Sequence, residues 1–306
     1  MIYTLTTNPA IDYNLTTSSV DANAVNRTTD AVYSPNGKGL NVSFVLKHFG
    51  LDSKILGFFG GFSGDFIVNE SRKAGFEVID VKVDDITRIN VFINHGKDEY
   101  KYVNAGPLII REKQLEMLEI IKKADDMDYL VISGSLPTGI ENDYYDEILE
   151  ICKLKKVEVI IDISSVKLKE LLKYKPFLIK PNDEEVEAIF GWKINDESDA
   201  VDALDKLTGL GCQNVLLTLG DKGSYFSNGK DIYFANTQEV ELLSSACAGD
   251  SALAGFLSLF IENQSDIENA LKRSSATGAN VAESPGIGNL EKVETYSKNI
   301  IVRKVR

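Results

Sequence analysis

Short β-branched and apolar runs alternate with longer amphipathic stretches along most of this chain. From Val131 onward the order is "DYLVIS", "DYYDEILEICKLKK", "VEVIIDI", "LKELLKY" and "PFLIK". Strand, helix, strand, helix, strand is the rhythm of a parallel sheet covered on both faces. "NVLLTLG" and "GSYFSN" predict further strands, and helical spacing recurs near residues 250–262 and 266–283. The opening "MIYTLTTNPAID" reads as a first strand. Two stretches break the rhythm: residues 12–34 and 88–104 alternate polar and apolar positions, and "HGKD" sits mid-way through the second as a hairpin turn would. Together they predict a small sheet outside the main one, with an apolar face that covers a site, a second subunit or both. No linker, low-complexity tract or repeat interrupts residues 1–306, so a single α/β domain is expected.

Composition narrows the chemistry. Of 306 residues, 43% are apolar and 26% charged, and no apolar run approaches the roughly 20 residues that span a bilayer. No membrane association is expected. The N-terminus lacks a secretory signal, which predicts a cytoplasmic protein. Cys152, Cys212 and Cys247 are far apart and suit a reducing compartment, and His48 and His95 are the only histidines. Zinc sites and Ser-His-Asp or Cys-His catalysis are thereby poorly supported. The formal charge of −13 argues against a nucleic-acid partner, while leaving room for a local basic pocket that takes a phosphorylated metabolite.

Several motifs fall at strand-to-helix turns. "NGKGLN" puts Gly37, Lys38 and Gly39 at such a turn with Asn41 in the first helical turn, yet no P-loop or G-x-G-x-x-G pattern occurs. "KPNDEE" places Lys180 and Asn182 just past an apolar strand and Glu185 in the first turn of the next helix, where they serve either a ligand or the helix start. "TLGDKG" offers Thr218, Gly220 and Gly223 around a turn. Arg88 in "TRIN" has the planar fork that suits phosphate, against the plainer reading of a solvated or ion-paired side chain. In "SSACAGDSALAGFL", Asp250 is placed to cap a helix carrying Leu253, Leu257 and Phe260. Ala248 and Gly249 before it leave backbone N–H groups open to an anion. Cys247, at the same helix start, is expected to have a lowered pKa.

Taken in order, "NPAID", "NGKGLN", "TRIN", "SGSLP", "KPNDEE", "TLGDKG" and "ACAGD" span residues 8–250, and the sequence resembles the ribokinase-like sugar kinases of the phosphofructokinase B branch, in particular the 1-phosphofructokinases and tagatose-6-phosphate kinases. The resemblance implies a three-layer α/β/α sandwich with a mainly parallel central sheet and a small β-sheet lid. It also implies transfer of phosphate from ATP, with Mg2+, to a phosphorylated ketohexose, chiefly fructose 1-phosphate, with tagatose 6-phosphate as the alternative. Asp250 would be the general base, and the backbone of Cys247, Ala248 and Gly249 an anion hole for the transferring phosphoryl group. Asp12, Arg27, Gly37, Lys38, Asn41, Arg88 and Ser135 would hold the sugar phosphate. Lys180, Asn182, Thr218, Gly220 and Gly223 would serve the nucleotide, Glu185 would serve the metal, and the lid would pair two subunits.

Two positions depart from that pattern: Asn36 and Cys247 stand where the family usually has glycine. A side chain at position 247 is expected to crowd the phosphoryl group or to strain the backbone. A sugar-phosphate-binding sensor without catalysis is the alternative from another class.

Overall fold

The computed structural model describes residues 1–306. Its strands are β1 (Ile2–Thr6), β2 (Ala10–Thr17), β3 (Thr28–Asn36), β4 (Ser53–Gly60), β5 (Glu77–Val83), β6 (Arg88–His95), β7 (Asp98–Tyr102), β8 (Tyr129–Ser133), β9 (Glu158–Asp162), β10 (Leu178–Ile179), β11 (Asn214–Thr218), β12 (Ser224–Ser227), β13 (Ile232–Ala235) and β14 (Val302–Lys304). The helices are α1 (Lys38–His48), α2 (Gly61–Lys73), α3 (Arg111–Lys123), α4 (Tyr144–Lys155), α5 (Leu168–Leu171), α6 (Asp183–Phe190), α7 (Glu197–Gly209), α8 (Ala248–Phe260), α9 (Ile267–Ala282) and α10 (Val293–Ser297).

The main sheet runs β14-β13-β12-β11-β10-β9-β8-β1-β4-β5. From β11 to β5 all neighbours are parallel, while β12, β13 and β14 add an antiparallel edge. The unbroken apolar runs have a direct explanation here, because alternate residues face different cores. Val159 and Ile161 of β9, with Val215 and Leu217 of β11, pack in a cluster with α3, α4 and α7. Ile160 and Leu216, one residue out of phase, pack with α1, α8 and α9. The result is the three-layer α/β/α sandwich expected.

The second sheet, ordered β3-β2-β6-β7, is the predicted lid. Its strands begin at Ala10 and end at Asn36 and Tyr102, slightly wider on the first hairpin than the 12–34 expected. β6 and β7 form the antiparallel hairpin around Gly96, while β2 and β6 pair in parallel, setting Asp12 opposite Asn90. The hinge is fixed where Thr87 bonds both ways with Gly60: its N–H donates to the Gly60 carbonyl and its Oγ1 accepts from the Gly60 N–H. A Cβ at Gly60 would come within 2.0 Å of the Asp85 carbonyl, so only glycine lets the hinge strand this close.

Candidate active site

Ligands of open α/β sheets gather where parallel strands end and helices begin. Here the ends of β1, β8, β9, β10 and β11 meet the starts of α1, α6 and α8, and the lid hinges from the same rim.

Asp250 is the third residue of α8 and only 6% exposed. It is not the N-cap that the sequence suggested. Cys247 takes that position with a left-handed backbone, φ 64°, and α8 begins at Ala248 because the chain bends there rather than at a side-chain cap. The Asp250 Oδ2 accepts a hydrogen bond from Asn41 Nδ2 at 2.9 Å. Burial pushes its pKa up to about 6, with Asp162 adding to the rise and Lys38 opposing it. The sequence-based expectation for Cys247 is reversed: burial, with the Asp250 charge adding to it, pushes the thiol up to about 12 against the Asn36 and Asn41 amides. Cys247 is a neutral thiol.

Asp162 was missed by sequence reasoning. It closes β9, is 1% exposed, and pairs with Lys180 at 3.2 Å and Lys38 at 3.5 Å. Burial alone would raise its pKa, but the two lysines hold it below the usual carboxylate range. Burial would likewise lower the Lys38 pKa, yet Asp162, Asp250 and Glu185 raise it, so Lys38 stays charged. The available signal was a carboxylate ending an otherwise apolar strand. Lys180 leans over the start of α8: a Cβ on Gly249 would lie 3.5 Å from its Nζ. Two lysines thus face the positive end of a helix, and that end carries the buried carboxylate.

On the lid side, Asp12 is 7% exposed and accepts from Asn90 Nδ2 at 2.9 Å and Asn36 Nδ2 at 2.5 Å. Burial raises its pKa against those two bonds and the Arg88 charge. Arg88 donates to the backbone carbonyls of Asn8 and Asn104, both at 2.9 Å, and its buried Nε has no partner. Gly37, at φ 147°, lets the backbone pass where a Cβ would strike the Thr6 methyl at 2.5 Å. Ser135 is exposed, and its hydroxyl lies 3.4 Å from Asn8 Nδ2. Arg27 is not brought to this cluster: it is exposed on the loop before β3, where its carbonyl accepts from Thr17 Oγ1.

On the other side, Asn182 and Glu185 form a complete capping box on α6, Oδ1 accepting from the Glu185 N–H at 2.7 Å and Oε2 from the Asn182 N–H at 3.0 Å. Thr218, at the end of β11, bridges to Asn182. Gly220 stands in open space at φ 59°, whereas a Cβ on Gly223 would meet the Ala235 carbonyl at 2.2 Å, so the turn into β12 itself demands glycine there. No three His, Cys, Asp or Glu side chains converge to hold a metal. Mg2+ takes one or two protein carboxylates and draws its remaining ligands from water and phosphate oxygens, and the half-buried Glu185 carboxylate, whose oxygens accept from Ser164 Oγ and the Asn182 N–H, keeps lone pairs for that role.

The family model for the pfkB family carbohydrate kinases matches residues 5–293. A D-tagatose-1-phosphate kinase from Klebsiella oxytoca is 45% identical over 302 residues, 99% of each chain. A 1-phosphofructokinase from Bacillus subtilis is 35% identical over the whole of both. Phosphofructokinase-2 from Escherichia coli, solved in complex with potassium, superposes with a TM-score of 0.90 at 23% identity, covering 97% of this chain and 98% of that one, which speaks for the fold alone. With the match running from the first strand to the last helix, the chain belongs to the pfkB family of carbohydrate kinases.

Proposed function

We propose that this chain is an ATP-dependent kinase of a ketohexose 1-phosphate. Asp250 takes the proton from the acceptor hydroxyl, the freed oxygen bonds to the γ-phosphorus, and the bond to the bridging oxygen of ADP breaks. The observation that carries this reading is the buried Asp250 at the start of α8, held by Asn41 and faced by Lys38. The first N–H groups of α8, at Ala248 and Gly249, and the Lys38 and Lys180 charges supply the stabilisation that a transferring phosphoryl group requires. Asp12, Asn41 and Lys38 lie between lid and helix on the acceptor side, with Gly37, Ser135 and Arg88 around them. Asn182, Thr218 and Gly220 lie on the nucleotide side. Glu185 would hold Mg2+, which supplies charge neutralisation between the phosphates.

Fructose 1-phosphate is the acceptor expected from the sequence. The 45% identity to a protein named for tagatose 1-phosphate favours that C4 epimer as the second reading, in place of the 6-phosphate ester. The lid leaves Val32, Tyr33 and Tyr102 more than half exposed, which supports pairing of two subunits through this sheet. No helix is long and apolar enough to cross a membrane. The three cysteines are free, which suits the reducing cytoplasm.

The test is ADP release with Mg2+-ATP over fructose 1-phosphate, tagatose 1-phosphate, tagatose 6-phosphate and ribose. Turnover on a ketohexose 1-phosphate is expected. Thermal stabilisation by sugar phosphate without any ADP would instead identify a sensor.

A further inference from the structure

Asn36 ends β3, and its side chain makes four contacts at the centre of the site. Its Oδ1 accepts from the Gly37 N–H at 2.5 Å and from Asn41 Nδ2 at 3.2 Å. Its Nδ2 donates to Asp12 Oδ2 at 2.5 Å and lies 3.5 Å from Cys247 Sγ. The orientation of this amide is dictated by its neighbours, since a carboxylate only accepts and a backbone N–H only donates. Asn41 is fixed the same way: with Nδ2 turned to Asp250 Oδ2 at 2.9 Å and to Cys247 Sγ at 3.3 Å, its Oδ1 is left buried without a partner. The chain of contacts therefore runs from Asp12 through Asn36 and Asn41 to Asp250, with the neutral Cys247 thiol packed against both amides.

A carboxylate has about four lone-pair positions. Asn90 and Asn36 occupy one on each oxygen of Asp12, so the positions left for ligand hydroxyls point in fixed directions. The orphaned Asn41 Oδ1, in a residue 2% exposed, provides a third acceptor in fixed relation to them. A rigid set of acceptors suits one arrangement of neighbouring hydroxyls and leaves its groups unpaired with the epimer.

We propose that Asn36 is a specificity-determining residue that sets which ketohexose epimer is accepted, by fixing the Asp12 carboxylate and the Asn41 amide relative to Asp250. This rests on the kinase reading above for its acceptors. Without Asn36, Asp12 regains an open lone-pair position and the freedom to turn, and Asn41 loses one of its anchors.

The experiment compares wild type with Asn36→Gly and Asn36→Ser, measuring kcat/KM for fructose 1-phosphate and tagatose 1-phosphate and KM for ATP. The expected result is that Asn36→Gly changes the ratio between the epimers by about tenfold or more, as the loss of a hydrogen bond to a charged group would. Asn36→Ser, which keeps a short donor beside Asp12, should restore part of the wild-type ratio and is the variant to read if the glycine protein fails to fold. ATP KM should stay within about twofold, since none of the four Asn36 contacts is to Asn182, Thr218 or Gly220. A ratio unchanged to within about threefold while both epimers fall together would overturn the proposal and leave Asn36 a structural residue. If wild type turns over neither ester, the kinase reading falls, but shifts in melting temperature with each epimer still report whether Asn36 discriminates between them.

Discussion

Asp250 is held between opposing influences. Burial and Asp162 favour its protonated form, while Lys38 and the Asn41 amide favour the carboxylate, and the balance puts its pKa at about 6. A general base must be ionised to take a proton, so activity is retained above that value and lost as pH falls through it. Initial rates at low acceptor concentration should therefore give a log kcat/KM that declines with unit slope below about pH 6. A profile that is flat down to about pH 5 would remove Asp250 from the titrating role. Asp162 shows the opposite outcome from similar burial, because two lysines lie within 3.5 Å of it. Which of the two carboxyl groups is pushed up and which is held down cannot be read from a sequence. "VEVIIDI" reads as a strand with a charged end, and only the fold brings Lys38 and Lys180 to that end.

At the scale of elements, the sequence was most legible where periodicity alone decides. The βαβ rhythm after Val131, the hairpin around Gly96 and the apolar spacing of α8 all correspond to observed elements. Helix starts were less legible. Asp250 suits an N-cap chemically, yet the N-cap of α8 falls three residues earlier because the bend is at Cys247. That residue was expected to crowd the phosphoryl group or to strain the backbone, and its φ of 64° supports strain. A left-handed backbone costs a residue with a Cβ about 1–2 kcal/mol, and the extra unfolded-state freedom of glycine offsets roughly half of that. Cys247→Gly should thus be more stable than wild type by about 0.5–1 kcal/mol in urea unfolding. A less stable variant would mean that the Sγ contacts to Asn36 and Asn41 outweigh the strain. Those contacts were also invisible in the sequence, where two departures from a family pattern stand far apart and are joined only by the fold.

At the scale of the molecule, the site lies where the two cores meet the lid. One cluster backs β9 and α7, the other backs α1 and α8, and together they place charged residues at the rim of a sheet whose interior is apolar. Motif order along the chain made most of this assembly legible, from Asp12 to Asp250. Arg27 is the exception, since the chain does not bring it to the cluster, and a loop at the edge of the lid has no packing that a sequence pattern could reveal. Lys38, Asn41, Asp162 and Lys180 all act on the charge of Asp250, which makes that carboxylate the centre of the site. The direct measurement is kcat of Asp250→Asn with Mg2+-ATP and the best ketohexose 1-phosphate, alongside binding of the acceptor. The asparagine keeps the volume and an oxygen for Asn41 but cannot take the proton, so kcat should fall by about 10²–10⁴-fold with acceptor binding largely kept. A variant that retains more than about a tenth of wild-type kcat would contradict the assignment of Asp250 as the base.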